Sequence, residues 1–229
     1  MAKQNIVSPE QETLGAAMNK TELFLEKNGK NVTYVLLALV ILGALVYGYR
    51  SLIVQPRADK AAAMIAEAQN RFEADPADYT LALEGDDNGA GFLDVIRQYG
   101  STPSGNLAKH YAGLCYLHTG DLDQAAKYLA DYSAVKGLPG ALINVQNLGL
   151  QGDIAVEQDD FAKALKFYDK AIAAAKNDFT APMYLRKAGL AAQALGNKEL
   201  AESYFRRILD FYPASSEARE IEKYIGTNY

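Results

Sequence analysis

Residues Val32 to Tyr49 read VTYVLLALVILGALVYGY, eighteen residues without a charge. As a helix rising roughly 1.5 Å per residue the run is about 27 Å long, close to the hydrocarbon thickness of a bilayer. Tyr34, Tyr47 and Tyr49 stand near its ends, where a phenol keeps its hydroxyl among the headgroups, and Lys30 and Arg50 bracket it. The pattern predicts one transmembrane helix over 32–49. A buried core helix is the weaker reading, because a helix apolar on every side is rare in a domain of the size left to this chain. A cleaved signal is weaker too: thirty-one residues precede the run, and it leads into Tyr-Arg-Ser-Leu instead of a small-x-small site. The expectation is an uncleaved anchor. Charge does not orient it, since Lys20, Lys27 and Lys30 on one side balance Arg50, Arg57 and Lys60 on the other.

The anchor divides the rest of the chain. In the tail, 1–31, Ser8-Pro9-Glu10-Gln11-Glu12 supplies an N-cap, a proline at the first helical position and acids at the positive end of the dipole, while Asn28-Gly29 supplies a stop. An amphipathic helix from Pro9 to Lys27 is expected, with Leu14, Met18, Thr21, Phe24 and Leu25 on one stripe, suited to the membrane surface or to a loop of another membrane protein. Residues 50–104 hold a stem and a lead-in. Arg57–Ala74 is alanine-rich and ends at Asp75-Pro76, and a second, shorter helix runs from Ala90 to Tyr99. The intervening Gly85-Asp86-Asp87-Asn88-Gly89 mimics the start of a calcium loop, but Ala90 and Arg97 occupy the positions where ligands are needed, so a solvated loop is expected.

From residue 105 the sequence repeats. Ala112-Gly113, Tyr116, the Gly120 turn, Ala125 and Leu129 superimpose on Gly152, Ala155, the Asp159-Asp160 turn, Ala164 and Tyr168. Both superimpose on Gly189, Ala192, the Gly196 turn, Ala201 and Phe205. Small residues three units running, at the place where two helices of a hairpin cross, with larger ones beyond the turn, predict stacked helix pairs. This pattern resembles the tetratricopeptide repeat (TPR) family, which implies an all-α solenoid over 105–212. The repeats are thirty-nine and thirty-seven residues apart instead of thirty-four, Lys109, Leu148 and Leu185 replace the family tryptophan, and the second turn lacks glycine. The extra residues fall in 134–141 and 174–182, where loops lengthen cheaply. After Pro213 a last helix, in 213–229, carries Ala218, Ile221, Tyr224 and Ile225 to cover the open end of the stack.

Chemistry is not expected. A charge of −5 and a pI near 5.2, with no dense basic run, exclude nucleic acid as a partner. No phosphate loop, dinucleotide fingerprint, zinc-protease or nucleophile-elbow motif occurs, and Cys115 is the lone cysteine. His110 and His118 lie eight apart on one helix, about 12 Å by the helix rise, too far to share a metal; they line the concave surface or cap a helix end. The chain is read as a protein binder without enzyme activity, cofactor or metal. In TPR stacks the first helix of each pair lines a groove. Here that implies Leu107, His110, Tyr111 and Leu114 from the first unit, Leu150 and Asp153 from the second, and Met183, Arg186, Lys187 and Leu190 from the third. TPR domains that clamp an acidic chaperone C-terminus resemble one another in carrying Lys and Asn where this chain has His110, Leu114 and Leu150, so an extended or partly folded apolar segment is the expected ligand.

A short tail, one early span, an alanine-rich stem and an irregular TPR domain resemble, in layout, the YfgM-type family of bacterial inner-membrane proteins. That resemblance implies an ancillary subunit of the SecYEG-type translocon, with a cytoplasmic N-terminus and a periplasmic TPR domain that serves emerging secretory polypeptides beside a PpiD-like chaperone. Phe205–Ala214 (FRRILDFYPA) also resembles the repeat ends of outer-membrane biogenesis TPR proteins, which would imply an envelope assembly factor, though no lipobox cysteine occurs. A cytoplasmic-facing TPR adaptor is the remaining alternative that the balanced charges leave open.

Overall fold

In the computed structural model, residues 9–175 and 177–225 are described, with side chains at 22, 24, 26–175 and 177–221. The chain divides into two units, residues 1–56 and 57–229. The first unit is built on α1, Pro9–Tyr49, followed by a π-helical turn at Arg50–Val54. Within α1 the charge-free window has no buried residue, which separates it from the core helix of a soluble domain. It is long and apolar enough to cross a membrane. The expected stop at Asn28-Gly29 does not occur. Asn28 Nδ2 donates to the Phe24 carbonyl at 3.2 Å and Thr33 Oγ1 to the Gly29 carbonyl at 2.9 Å, so both side chains bond along a continuing helix. A mid-helix glycine costs about 1 kcal/mol. Ending the helix would strand four carbonyls beside an apolar span, which costs more. Of the proposed amphipathic stripe, Phe24 is exposed, and Leu14, Met18, Thr21 and Leu25 lie outside the described side chains.

The second unit is all-α apart from one tight hairpin. Its elements are α2 (Gln55–Phe72, entering the unit at Arg57), α3 (Tyr79–Glu84), a two-stranded turn β1–β2 (Gly85–Asp86 and Gly89–Ala90), α4 (Phe92–Tyr99), then α5 (Pro103–Thr119) and α6 (Leu122–Asp131). There follow α7 (Gly140–Glu157), α8 (Phe161–Ala174), α9 (Thr180–Ala194), α10 (Lys198–Phe211) and α11 (Ser216–Ile225). The stretch expected as a plain loop between Pro76 and Gly91 thus contains α3 and the hairpin. Asp78 caps α3 by accepting from Leu81 N at 2.8 Å, and Arg71 pins the hairpin through Asp86 at 2.7 Å and the Gly89 carbonyl at 3.1 Å.

Helices α5/α6, α7/α8 and α9/α10 are the three predicted hairpins. Each second helix opens on an Asx cap: Asp121, Asp160 and Asn197 accept from the backbone N–H three residues on at 3.0, 3.0 and 3.1 Å. The core falls into separate clusters. One joins α2, α3, α4 and α5 around Phe92, Val95, Ala108 and Ala112; one joins α7 through α11. A smaller one, Ala125, Leu129 and Ile154, bridges α6 and α7. Ala218 and Ile221 of α11 are buried against the α7–α11 cluster, so α11 closes the stack as a cap.

Candidate functional site

The helix pairs approach so closely because each first helix has a glycine where its partner places a large side chain. A Cβ added at Gly113 would lie 2.6 Å from Leu129 Cγ, at Gly152 2.5 Å from Tyr168 Cε1, and at Gly189 2.2 Å from Phe205 Cε1. The offset is sixteen residues in all three hairpins, so the irregular repeat length lies wholly between hairpins. Successive first helices also meet at equivalent places. Gly149 of α7 receives the Tyr184 ring of α9, whose carbons would stand 2.1 Å from an added Cβ. One repeat earlier the same junction is polar: Asn147 Nδ2 meets His110 Nδ1 at 3.2 Å, with Asn147 Oδ1 held by Gln151 Nε2 at 2.8 Å.

The ten residues expected along the groove occupy different environments. His110 and Leu114 are buried, and burial holds the His110 imidazole down to about 4, despite a side-chain interaction with Gln146 that favours the charged form. Leu107 and Tyr111 are partly buried against the lead-in helices, with Tyr111 stacked on Phe92 at 5.1 Å and edge-on to Phe72 at 5.3 Å. Leu150 packs into the α6–α7 cluster. The lead-in helices therefore cover the first unit's face. His118 is exposed near the end of α5, stacked on Tyr79 at 4.0 Å.

The remaining five come together across α7 and α9. Lys187 Nζ contacts both carboxylate oxygens of Asp153 at 2.7 Å, and Asp153 also accepts from the Tyr168 hydroxyl at 2.7 Å. Burial and then the Asp153 charge push the Tyr184 phenol up to about 12, and the Tyr168 phenol is raised for the same two reasons. Arg186 pairs with Glu220 of the cap at 3.6 Å. Met183 packs on the core and Leu190 is exposed, giving two apolar side chains on a face whose cations are already engaged. Sequence reasoning missed Asn147, Gln151 and Tyr184. Aligning the repeats would have put Asn147 and Tyr184 at one position, and only the fold shows what each meets.

No group of three or more His, Cys, Asp or Glu gathers as for a metal among the described residues. Cys115 is buried, which pushes its thiol up to about 12 and makes it inert. Residues 145–178 and 184–215 each match a Tetratricopeptide repeat family model, so the α7/α8 and α9/α10 hairpins carry TPR repeats, units that imply a protein-binding scaffold. No curated protein matches the chain. Among solved structures, one described as the crystal structure of MamA protein has a TM-score of 0.41 at 18% identity, covering 77% of this chain and 96% of that one. A second, described as the crystal structure of MamA, has a TM-score of 0.41 at 18% identity, covering 71% and 88%.

Proposed function

We propose that this chain is an ancillary subunit of a SecYEG-type translocon, held in a bacterial inner membrane by Val32–Tyr49. In this reading the N-terminus is cytoplasmic and the TPR domain periplasmic, where it acts with a PpiD-like partner as chaperone or adaptor for emerging secretory polypeptides. The observation that supports it most is the α7–α9 face, carried by a chain that also has an apolar helix long enough to span a bilayer. Lys187 is neutralised by Asp153, and Met183 and Leu190 supply apolar contact, so the face suits an extended apolar segment better than an acidic terminus. Purification of the tagged chain in mild detergent tests the reading. Recovery of translocon subunits supports it, and their absence, with the anchor intact, overturns it.

A further inference from the structure

The 57–229 unit has two unlike edges. One is formed where second helices end and first helices begin. Asn106, at the start of α5, bonds Ser133 beyond α6 at 2.7 and 2.8 Å, and Asn144, at the start of α7, bonds Val135 at 2.8 and 3.0 Å. Residues 177–179, just before α9, and the end of α10 repeat this position along the stack. The three most exposed large apolar side chains among the described residues of the unit all lie here: Leu138 at 80%, Phe179 at 81% and Phe211 at 72%, with Val135 and Leu142 beside Leu138. This edge also exposes Asp131, Lys136, Asp178 and Asp210, whereas the opposite edge, made by the turns inside the hairpins, exposes Asp121, Asp123, Glu157, Asp159, Asp160, Lys163, Lys198 and Glu199 and, among the described residues, one large apolar residue, Leu195.

Arg57 belongs to the apolar edge. Its Nη2 donates to the Gln98 carbonyl at 3.0 Å and its guanidinium lies 5.6 Å from the Tyr99 ring, where α4 ends and α5 is about to begin. From there α2 runs across the unit to Arg71, which holds the Asp86 hairpin. Arg57 follows Tyr49 by eight residues, which span at most about 28 Å even when fully extended.

We propose that the edge carrying Leu138, Phe179 and Phe211 is a lipid-contacting edge, inserting these side chains into the interfacial layer of the bilayer that anchors the chain. The inference rests on the anchor part of the function proposed above. Exposed apolar tips gain free energy at the headgroup–acyl boundary, and they gather on this edge and not on the opposite one, which sets the orientation. The bilayer is also the one surface from which the tethered chain cannot diffuse away, which favours lipid over a soluble partner or a second copy.

The full chain, one copy per phosphatidylcholine nanodisc, tests this with an environment-sensitive fluorophore attached at Leu138→Cys, Phe179→Cys or Phe211→Cys. The buried Cys115 contributes little labelling, and the unsubstituted chain measures that background. Lipids carrying a nitroxide near the headgroup are expected to quench these three positions with a blue shift in emission, and to leave labels at Asp123→Cys and Gln158→Cys unquenched. A label at Leu39→Cys reads the anchor independently. Quenching at Leu39→Cys with none at the three edge positions overturns the lipid-contacting edge and leaves the anchor standing. No quenching at Leu39→Cys overturns the anchor itself. Edge protection seen only in crowded vesicles, without lipid quenching, assigns the edge to a second copy and also overturns the inference.

Discussion

A methyl group at position 152 has no room, because the Tyr168 ring it would meet is tied at its hydroxyl to Asp153 at 2.7 Å. Gly152→Ala is therefore expected to destabilise the domain by about 1–3 kcal/mol, the usual cost of overpacking. Urea unfolding in detergent checks it. These glycines were legible in the sequence, since a small residue repeated at a hairpin crossing has one physical reading. The fate of His110 was not. Its position on α5 fits a groove, and it is buried against Asn147, thirty-seven residues on, and beside Tyr132 at the end of α6, neither of which the repeat pattern announces as its neighbour. Asn147 presents a donor to Nδ1, and a protonated ring would set donor against donor. The folded imidazole sits at about 4 against 6.5 for the free group, so the unfolded chain binds more protons between these values. Stability should be complete above about pH 6.5 and fall by on the order of 3 kcal/mol as pH drops toward 4. Unfolding of His110→Gln measured across that range should lack this slope.

At the scale of elements, turns and caps decide where helices stop. Gly120 and Gly196 take left-handed backbone at φ 85° and 75°, and in the second hairpin Asp159 takes φ 58° in their place. Aspartate tolerates this conformation at a cost that glycine does not carry. Asp159→Gly is expected to raise stability by a few tenths to about 1 kcal/mol, whereas Asp160→Ala, which removes the cap on Lys163 N, should lower it by about 1 kcal/mol. Thermal unfolding of the two variants side by side reads the opposite signs. The sequence showed these turns because Asx and glycine recur at a fixed offset from the crossing glycines. It misplaced the end of the tail helix, since Asn28-Gly29 is a stop only where the chain beyond it has no stronger reason to stay helical. It also passed over α3, whose six residues are too few for a periodic pattern to register.

For the whole molecule, the apolar run and the repeats made the all-α repeat architecture, and a helix long and apolar enough to cross a membrane, readable from sequence alone. The clusters around α2–α5 and α7–α11 explain what could not be read. The lead-in helices complete the first unit by packing on α5, and the recognition face proposed above is centred on α7 and α9, with Met183, Leu190 and the Asp153–Lys187 pair. The proposed function turns on what this face binds. The most direct measurement is photo-crosslinking in intact cells from a probe at Leu190, compared with one at the exposed Lys166 of α8. Adducts to translocon subunits or to secretory chains in transit, formed from Leu190 and absent from Lys166, are the predicted result. Adducts confined to cytoplasmic proteins, or equal from both positions, would contradict it.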